Sequence, residues 1–515
     1  MTIANGPGVF VREFDQSVSP VVSATSIFGI VTTARKGILN SVTTVTSESG
    51  LISAFGRPGD NHYGIDAGLR YLREGNQLKV VRVATWDGAA SGDPADEDDA
   101  TATGVVLASV GGTEALQVTA KSAGTDGNNI DIIVSASRPT GTYRIQVRSY
   151  ETVVEDYSGV VMDDDTSDYY VTTMLANSAW VIVAVLNLQT ALYSSTTPVD
   201  LVGGDDGAPA STSDVIGIIT GGVAQGLQMF RDPEHCVVDY FAVPGRTERS
   251  IVVELLAIAA ARDDSMALID APFGKTVDEI VDWHNGTGGG GDDPTSALNE
   301  KRGQLCYPWQ MTKDAYNDEE KWVPPSCFVA ERYAYTHKNG NFWDAPAGNI
   351  RGLLSGILES EYSPTQGDRA YMYDDAQGNN VNPICNIPGQ GVMIYGQKTL
   401  SREGTAFNRV NVVFLANLLR RRIKAAVEAF LWLPNVSSTW ERVVNAIEPI
   451  LYYVAAENGI YPAGTTNGWT VVCDENTNTA VVIAAKTMKI EVSVVPVYTA
   501  ERIVLDLTYN NLATV

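Results

Sequence analysis

The sequence predicts an α+β multidomain protein, and three observations carry that prediction. At 515 residues the chain is long enough for about three to four domains, each with its own core. Its middle changes character. From about Val105 to Val202 it reads as short alternating strands, and beyond Asp214 helical and strand-like patterns alternate. Both ends carry strand-forming segments: PGVFVREF at Pro7–Phe14, and KTMKIEVSVVPVYTAERIVLDLTYNN from Lys486 to Asn511. In the latter, apolar residues alternate at Ile490, Val492 and Val494, then at Ile503, Leu505 and Leu507, the period of a half-buried strand. Val9, Phe10, Val11 and Phe14 carry the first segment. An unpaired strand edge invites another chain. Ends like these predict strand exchange between copies, and a polymer before an enzyme.

Between Pro20 and Val83, VVSATSIFGIVTTA is β-branched and apolar. HYGIDAGLRYLREG places Ile65, Leu69 and Leu72 on one helical face, Gly-Asn ends that helix, and LKVVRVA follows as a buried strand. The acidic segment SGDPADEDDATATG, Ser91 to Gly104, marks a domain boundary. Next come VVLASV, ALQVTAKS, NIDIIVSAS, TYRIQVRSYE and WVIVAVLN, separated by Gly, Asp and Pro turns, the habit of a β-sandwich-like domain. GGDDGAPASTSD, Gly203 to Asp214, is the next linker. After it, SIVVELLAIAAARDD alternates with the strand-like HCVVDYFAVPG and MALIDAPF, an α/β pattern. GTGGGGDDP reads as a surface loop, and loops dominate from Tyr362 to Gly391, before a last mixed unit from about Val392.

Charge and composition exclude several function classes. With 61 acidic against 36 basic residues and a net charge of −25, the chain should repel phosphate backbones, so no nucleic-acid partner is expected. No run of about 18 apolar residues suggests direct membrane insertion, and the N-terminus lacks the basic and apolar regions of a secretion signal. Five dispersed cysteines without a CxxC read as free thiols of a reducing cytoplasm. Four scattered histidines show no metal-binding spacing, so neither metal nor cofactor is expected. The acidic runs at Asp93–Asp99 and Asp163–Asp168 read as solvated loops, lacking the spaced ligands of an EF-hand.

Candidate chemistry fails at each site. FGKT at Phe273–Thr276 ends like a phosphate-binding loop, but Ile269 stands where that motif needs glycine. Gly286, Gly288 and Gly291 match GxGxxG, yet Asp292, Asp293 and Pro294 follow, so no helix N-terminus would meet a phosphate. Ser326 sits among prolines without a GxSxG elbow and reads as part of a rigid turn. Asp270, at a strand end before Pro272, reads as a turn-capping residue. No catalytic residue emerges.

One constellation stands out. Asn411 to Leu433 is the best helix, with Val412, Leu415, Leu419, Ile423, Ala426 and Phe430 forming a buried stripe. Asn417, Arg421, Lys424 and Glu428 fall opposite, flanked by Arg420 and Arg422. Four basic residues within five positions can simply solvate the helix face and pair with nearby carboxylates. They can equally form an electropositive patch that docks an acidic protein.

Taken in order, these segments resemble the tail sheath proteins of contractile-tailed bacteriophages over most of the chain. The resemblance runs through PGVFVREFD, FGIVTTARKG, SESGLISAFG and YLREGNQLKVVRVA, then the β-rich KSAGTDGNNIDIIV and ETVVEDYSGVVMDDDTSDYYVTTMLANSAWVIV. It continues through VDYFAVPG, DSMALIDAPFG, CYPWQ, VPPSCFVAERYA, NGNFWDAPAGNIRG, VNPICNI and GVMIYGQKTL. The resemblance implies a shared core, with an N-terminal part at residues 20–90 and a tube-facing C-terminal part at 392–487. A β-rich outer domain at 91–207 and an α/β domain at 208–391 would be insertions, with arms at 1–19 and 488–515. It implies hexameric rings that polymerise around a tail tube in an extended state and contract to drive the tube through the host envelope. The implied partners are neighbouring copies, the tube protein, and baseplate and terminator proteins. The setting would be a virion assembled in the bacterial cytoplasm. Arg420, Arg421, Arg422 and Lys424 would touch the tube, and the arms would pair with a sheet of neighbouring subunits. A bacteriocin-like injection particle would carry a similar sheath. A secreted surface-layer protein or adhesin should show an export signal or calcium repeats, and neither is evident.

Overall fold

The computed structural model describes residues 26–59, 62–84, 103–107, 114–122, 124–187, 192, 197–204, 210–287, 296–462, 468–502 and 504–505. Its centre is an eight-stranded sheet. The strands β1 (Phe28–Thr32), β2 (Val42–Val45) and β3 (Leu78–Arg82) come from the N-terminal segment. Five more come from far along the chain: β13 (Tyr240–Ala242), β14 (Met266–Asp270), β15 (Gly303–Tyr307), β19 (Val381–Ile387) and β20 (Gly391–Ile394). Their spatial order is β2-β3-β1-β13-β14-β15-β19-β20. The six inner strands are parallel, and the edge strands β2 and β20 run antiparallel to them.

Parallel strands need both faces covered, and alternation along each strand supplies two apolar faces. Phe28, Ile30, Tyr240, Ala242, Met266 and Leu268 point one way. That face lies under helices α1 (Glu48–Phe55), α2 (Tyr63–Leu72), α7 (Pro325–Asn339) and the start of α10 (Val410–Glu428). Val31, Phe241, Val243, Ala267 and Ile269 point the other way. There they meet α4 (Thr212–Ile216), α5 (Arg249–Arg262), α6 (Val277–Asn285) and α9 (Gln366–Met372). The product is a doubly wound α/β/α body. Helix α2 approaches closely because it is small on its inner side. A methyl group at Gly68 would lie 2.7 Å from Leu51, and one at Gly64 would collide with Thr32.

Four smaller units decorate this body. Between β3 and β13 the chain builds two antiparallel sheets: β4 (Thr103–Leu107), β5 (Glu114–Ala120) and β9 (Val181–Val185), and β6 (Ile130–Ala136), β7 (Tyr143–Ser149), β8 (Thr152–Val160) and β10 (Val199–Asp200). Residues of both sheets and of α3 (Val171–Leu175) share one apolar core. Lys36 fastens this unit to the body, 2.8 Å from the Asp126 carboxylate and over the Trp180 ring. A short hairpin of β11 (Ile219–Thr220) and β12 (Val223–Ala224) follows. Strands β16 (Gln310–Asp314), β17 (Glu319–Val323) and β18 (Ile357–Ser360) form a third sheet near α8 (Gly348–Arg351). Last, α11 (Ser437–Ala456), β21 (Trp469–Val472), α12 (Ala480–Ala484) and β22 (Glu491–Val494) gather around the second half of α10.

The sheet corrects part of the sequence reading. The stretch 208–391 supplies four of the six inner strands, so it is continuous with residues 20–90 rather than a separate inserted domain. The region from Tyr362 to Gly391 contains α9 and β19, not loops alone. Ser326 lies in the first turn of α7 rather than in a turn. Strand order, with β3 and β1 on one side of the β1/β13 switch and β13, β14, β15 and β19 on the other, is that of a doubly wound flavodoxin-like sheet.

Candidate functional site

In a doubly wound sheet, ligands bind beyond the carboxyl ends of the strands. Here that ground is occupied by the chain itself. Asp270, the last residue of β14, is buried and accepts from the Gly245 amide at 3.0 Å. It also accepts from the Ser326 amide at 2.6 Å and the Ser326 hydroxyl at 2.8 Å, capping α7. Burial pushes its carboxyl up to about 6, against these hydrogen bonds. The Trp309 indole donates to the Ala271 carbonyl at 2.7 Å, and the Tyr63 ring stands edge-on to Trp309 at 5.3 Å. These side chains hold loops to one another. Among the described residues no group of His, Cys, Asp and Glu side chains could hold a metal ion.

Helix α10 is a shared beam: Val410–Leu415, Asn417 and Leu419 are all buried, because its first half packs between the sheet and α11. Asn417, expected on a solvated face, is 2% exposed and accepts from Arg302 at 3.2 Å. The basic quartet follows, and its four members have different surroundings. Arg421 turns inward. It is paired with the buried Asp239 and donates to the Val238 carbonyl at 2.6 Å and the Asp264 carbonyl at 2.8 Å. Desolvation raises the Asp239 carboxyl above its ordinary value, and Arg421 and the Ile27 amide oppose that rise. Arg420 pairs with Asp263 while half-exposed. Arg422 lies over the Tyr453 ring at 5.4 Å. Lys424 is 68% exposed, 3.7 Å from an equally open Glu234. Part of the patch thus pairs with nearby carboxylates, as one of the two sequence-based readings held, and Lys424 is its most open member while Arg422 is half-buried.

Past the quartet an apolar tip goes unannounced by helical periodicity. Leu431 is 64% exposed and Trp432 fully exposed, with Trp432 at φ +67°, a backbone region that bulky residues avoid. Beside them lies a groove of about 360 Å³ bordered by Lys424, Val427, Phe430, Met488 and Ile490. Isolated apolar residues on a surface are ordinary; here they are clustered, with a strained aromatic among them.

The same unit carries the strand pair β21–β22, in register Trp469↔Val494 and Val471↔Val492. Among the described residues no third strand joins either edge of the pair. Ile490, Val492 and Val494, expected in a free arm, are half-buried on the α10–α11 core. The alternation was real, but it belongs to a strand already paired within the chain. Farther on, Leu505 is 75% exposed. Val9, Phe10, Val11, Phe14, Ile503 and Leu507 lie outside the described residues.

The fold is similar to that of solved contractile sheath proteins. The sheath tail protein of Desulfitobacterium hafniense superposes with a TM-score of 0.61 at 12% identity, covering 91% of this chain and 94% of that one. The sheath complex of an extracellular contractile injection system, in its contracted state, gives a TM-score of 0.56 at 16% identity over 99% of both chains. In sequence, the chain has homologues among the tail sheath proteins of several phages. That of Vibrio phage KVP40 is 28% identical over 281 residues, half of this chain and 40% of the relative. That of Salmonella phage ViI is 25% identical over 361 residues, 70% of this chain and 52% of the relative. The matched region is thus about half the length of these relatives. No protein-family model matches the chain.

Proposed function

We propose that this chain is a sheath subunit of a contractile tail. It polymerises as rings of six around a tail tube in an extended, metastable state and contracts to drive the tube through a cell envelope. The observation that carries this reading is the open strand pair β21–β22, which backs onto the α10–α11 core while strand-forming segments stand at both ends of the chain. Terminal segments of neighbouring copies adding to its two edges would give directional main-chain hydrogen bonds. Such bonds survive rigid-body movement of the bodies they join. Energy stored on assembly would come from interfaces that re-form with greater burial, without nucleotide.

The tube-facing surface in this reading is the outer half of α10 with the tip at Leu431–Leu433. Between Arg409 and Val497 eight basic residues stand against seven acidic, in a chain of net charge −25. This unit is therefore repelled by an acidic neighbour far less than the chain's overall charge would suggest. Baseplate and terminator proteins would meet the ends of the polymer. Similarity to the sheath of an extracellular injection system supports a second reading, a phage-derived particle built the same way. Negative-stain microscopy of the purified chain tests both readings. Tubular polymers are expected from the full chain and are lost on removal of residues 1–19 or 503–515. A monomer that never polymerises, with or without tubes, contradicts the reading.

A further inference from the structure

After β22 the chain does not simply leave the body. Val497 donates to the Gly459 carbonyl at 3.1 Å, and four residues later Glu501 is gripped. Arg409, the residue that precedes α10, donates through Nε at 2.7 Å and through its terminal nitrogen at 2.9 Å to the two oxygens of Glu501. The Tyr373 hydroxyl donates to the same carboxylate at 3.2 Å, as does the Gln397 amide at 3.2 Å. Gln397 also donates to the Thr499 hydroxyl at 2.5 Å. The cradle is itself braced. Lys398, fully buried, donates to the Tyr373 carbonyl at 2.9 Å and sits 2.7 Å from Asp375, which lies 3.7 Å from Arg409. Immediately beyond, Val504 is 83% exposed.

We propose that Glu501 in the Tyr373–Gln397–Arg409 cradle is a clasp that fixes where and in which direction the C-terminal segment departs. The hinge of that segment then lies after Glu501, not at the end of β22, and rests on the α10 N-terminus. A bidentate guanidinium–carboxylate pair suits the task, since it defines an angle as well as a distance. Being partly open to water, it weakens with salt. The inference rests on the reading of the C-terminal segment as an inter-subunit arm.

The test compares Glu501→Gln and Arg409→Gln with the unaltered full chain, before any polymerisation. Tryptic cleavage after Arg502 and hydrogen exchange at Val495–Val497 should both quicken about tenfold in each variant, the size of a lost charged hydrogen bond. The melting temperature of the body should hold in Glu501→Gln. Because Arg409 also meets Asp375, the double variant should be no faster than Arg409→Gln alone. Unchanged cleavage and exchange in Glu501→Gln would overturn the clasp whatever the polymers look like. A chain ending at residue 502 separates the two ideas: if it polymerises normally while Glu501→Gln still loosens the segment, the arm reading fails and the clasp stands.

Discussion

Replacing Arg421 by methionine should destabilise the protein by about 3 kcal/mol, far more than any other change in the basic quartet. The substitution keeps an unbranched, flexible stem but leaves Asp239, 5% exposed, without its cation. It also leaves the Val238 and Asp264 carbonyls without a donor. Removing one partner of a buried ion pair costs about 3–5 kcal/mol. The Arg421 side chain is 29% exposed, so water can reach part of the vacated space and the lower end applies. In a thermal melt that corresponds to a fall of about 6–12 °C for a cooperative unit of about 150–250 residues. The double variant with Asp239→Asn should recover part of the loss, since no charge is then stranded. Lys424→Glu, at an open pair, should change stability by less than about 1 kcal/mol. Urea melts followed by tryptophan fluorescence read all of these. An Arg421→Met midpoint equal to that of the unaltered chain, or a Lys424→Glu loss as large, would refute the division of the quartet into an inward and an outward part. It follows that charge reversal at Arg421 is unsuitable for testing a tube contact, whereas Lys424→Glu should leave the fold intact and impair assembly on tubes.

Further outcomes follow from the same geometry. Burial holds His284 down to about 4 and His337 to about 3, whereas the unfolded chain protonates both near 6.5. Their contribution to stability is therefore complete above pH 6.5 and lost as pH falls below it. Asp270, raised to about 6, works in the opposite sense below that pH. These three groups alone leave about one net proton, a contribution to the slope on the order of 1.4 kcal/mol per pH unit between pH 6 and 4.5 in urea melts, which Asp66, Asp239 and Glu361, also raised by burial, reduce. His337→Phe should flatten that slope, because neither ring nitrogen has a hydrogen-bond partner and the ring already stacks 4.0 Å from Phe342. Gly64→Val, driven against Thr32, should cost about 1–3 kcal/mol or leave the chain insoluble, and expression with circular dichroism will show which. Asp126→Ala should release the β-rich unit by removing the partner of Lys36 and of the Tyr150 hydroxyl, seen as faster proteolysis between residues 84 and 114.

Much of the fold was legible because local patterns and tertiary packing agree. LKVVRVA is a buried strand and HYGIDAGLRYLREG a helix, for β3 and α2 bury the residues that periodicity selects. The strand-rich run from Val105 to Val202 yields five of the expected strands. The charged β8, TVVEDYSGV, was missed because one of its faces is solvated and its apolar residues do not alternate cleanly. What the sequence could not reveal is partnership at long range. No local signal says that Phe28 lies beside Tyr240, 212 residues on, so the common sheet looked like two domains. For the same reason Ile490, Val492 and Val494 looked like free pairing capacity when β21 already satisfies one edge. Arg421 and Asn417 fall on the polar side of α10 by angle. They are drawn inside because the N-terminal ends of the inner strands β13 and β15, at Asp239 and Arg302, present groups that need them. Trp432 follows the last turn of α10, where helical periodicity no longer predicts orientation.

The central claim, that the open edges of β21–β22 are where copies join, is tested most directly by electron cryomicroscopy of polymers formed by the purified chain. The account predicts a sheet in which terminal segments of neighbouring copies flank β21 and β22, with Trp432 and the outer half of α10 turned to the lumen. Polymers in which β21 and β22 remain a two-stranded pair, with copies meeting elsewhere, would contradict it.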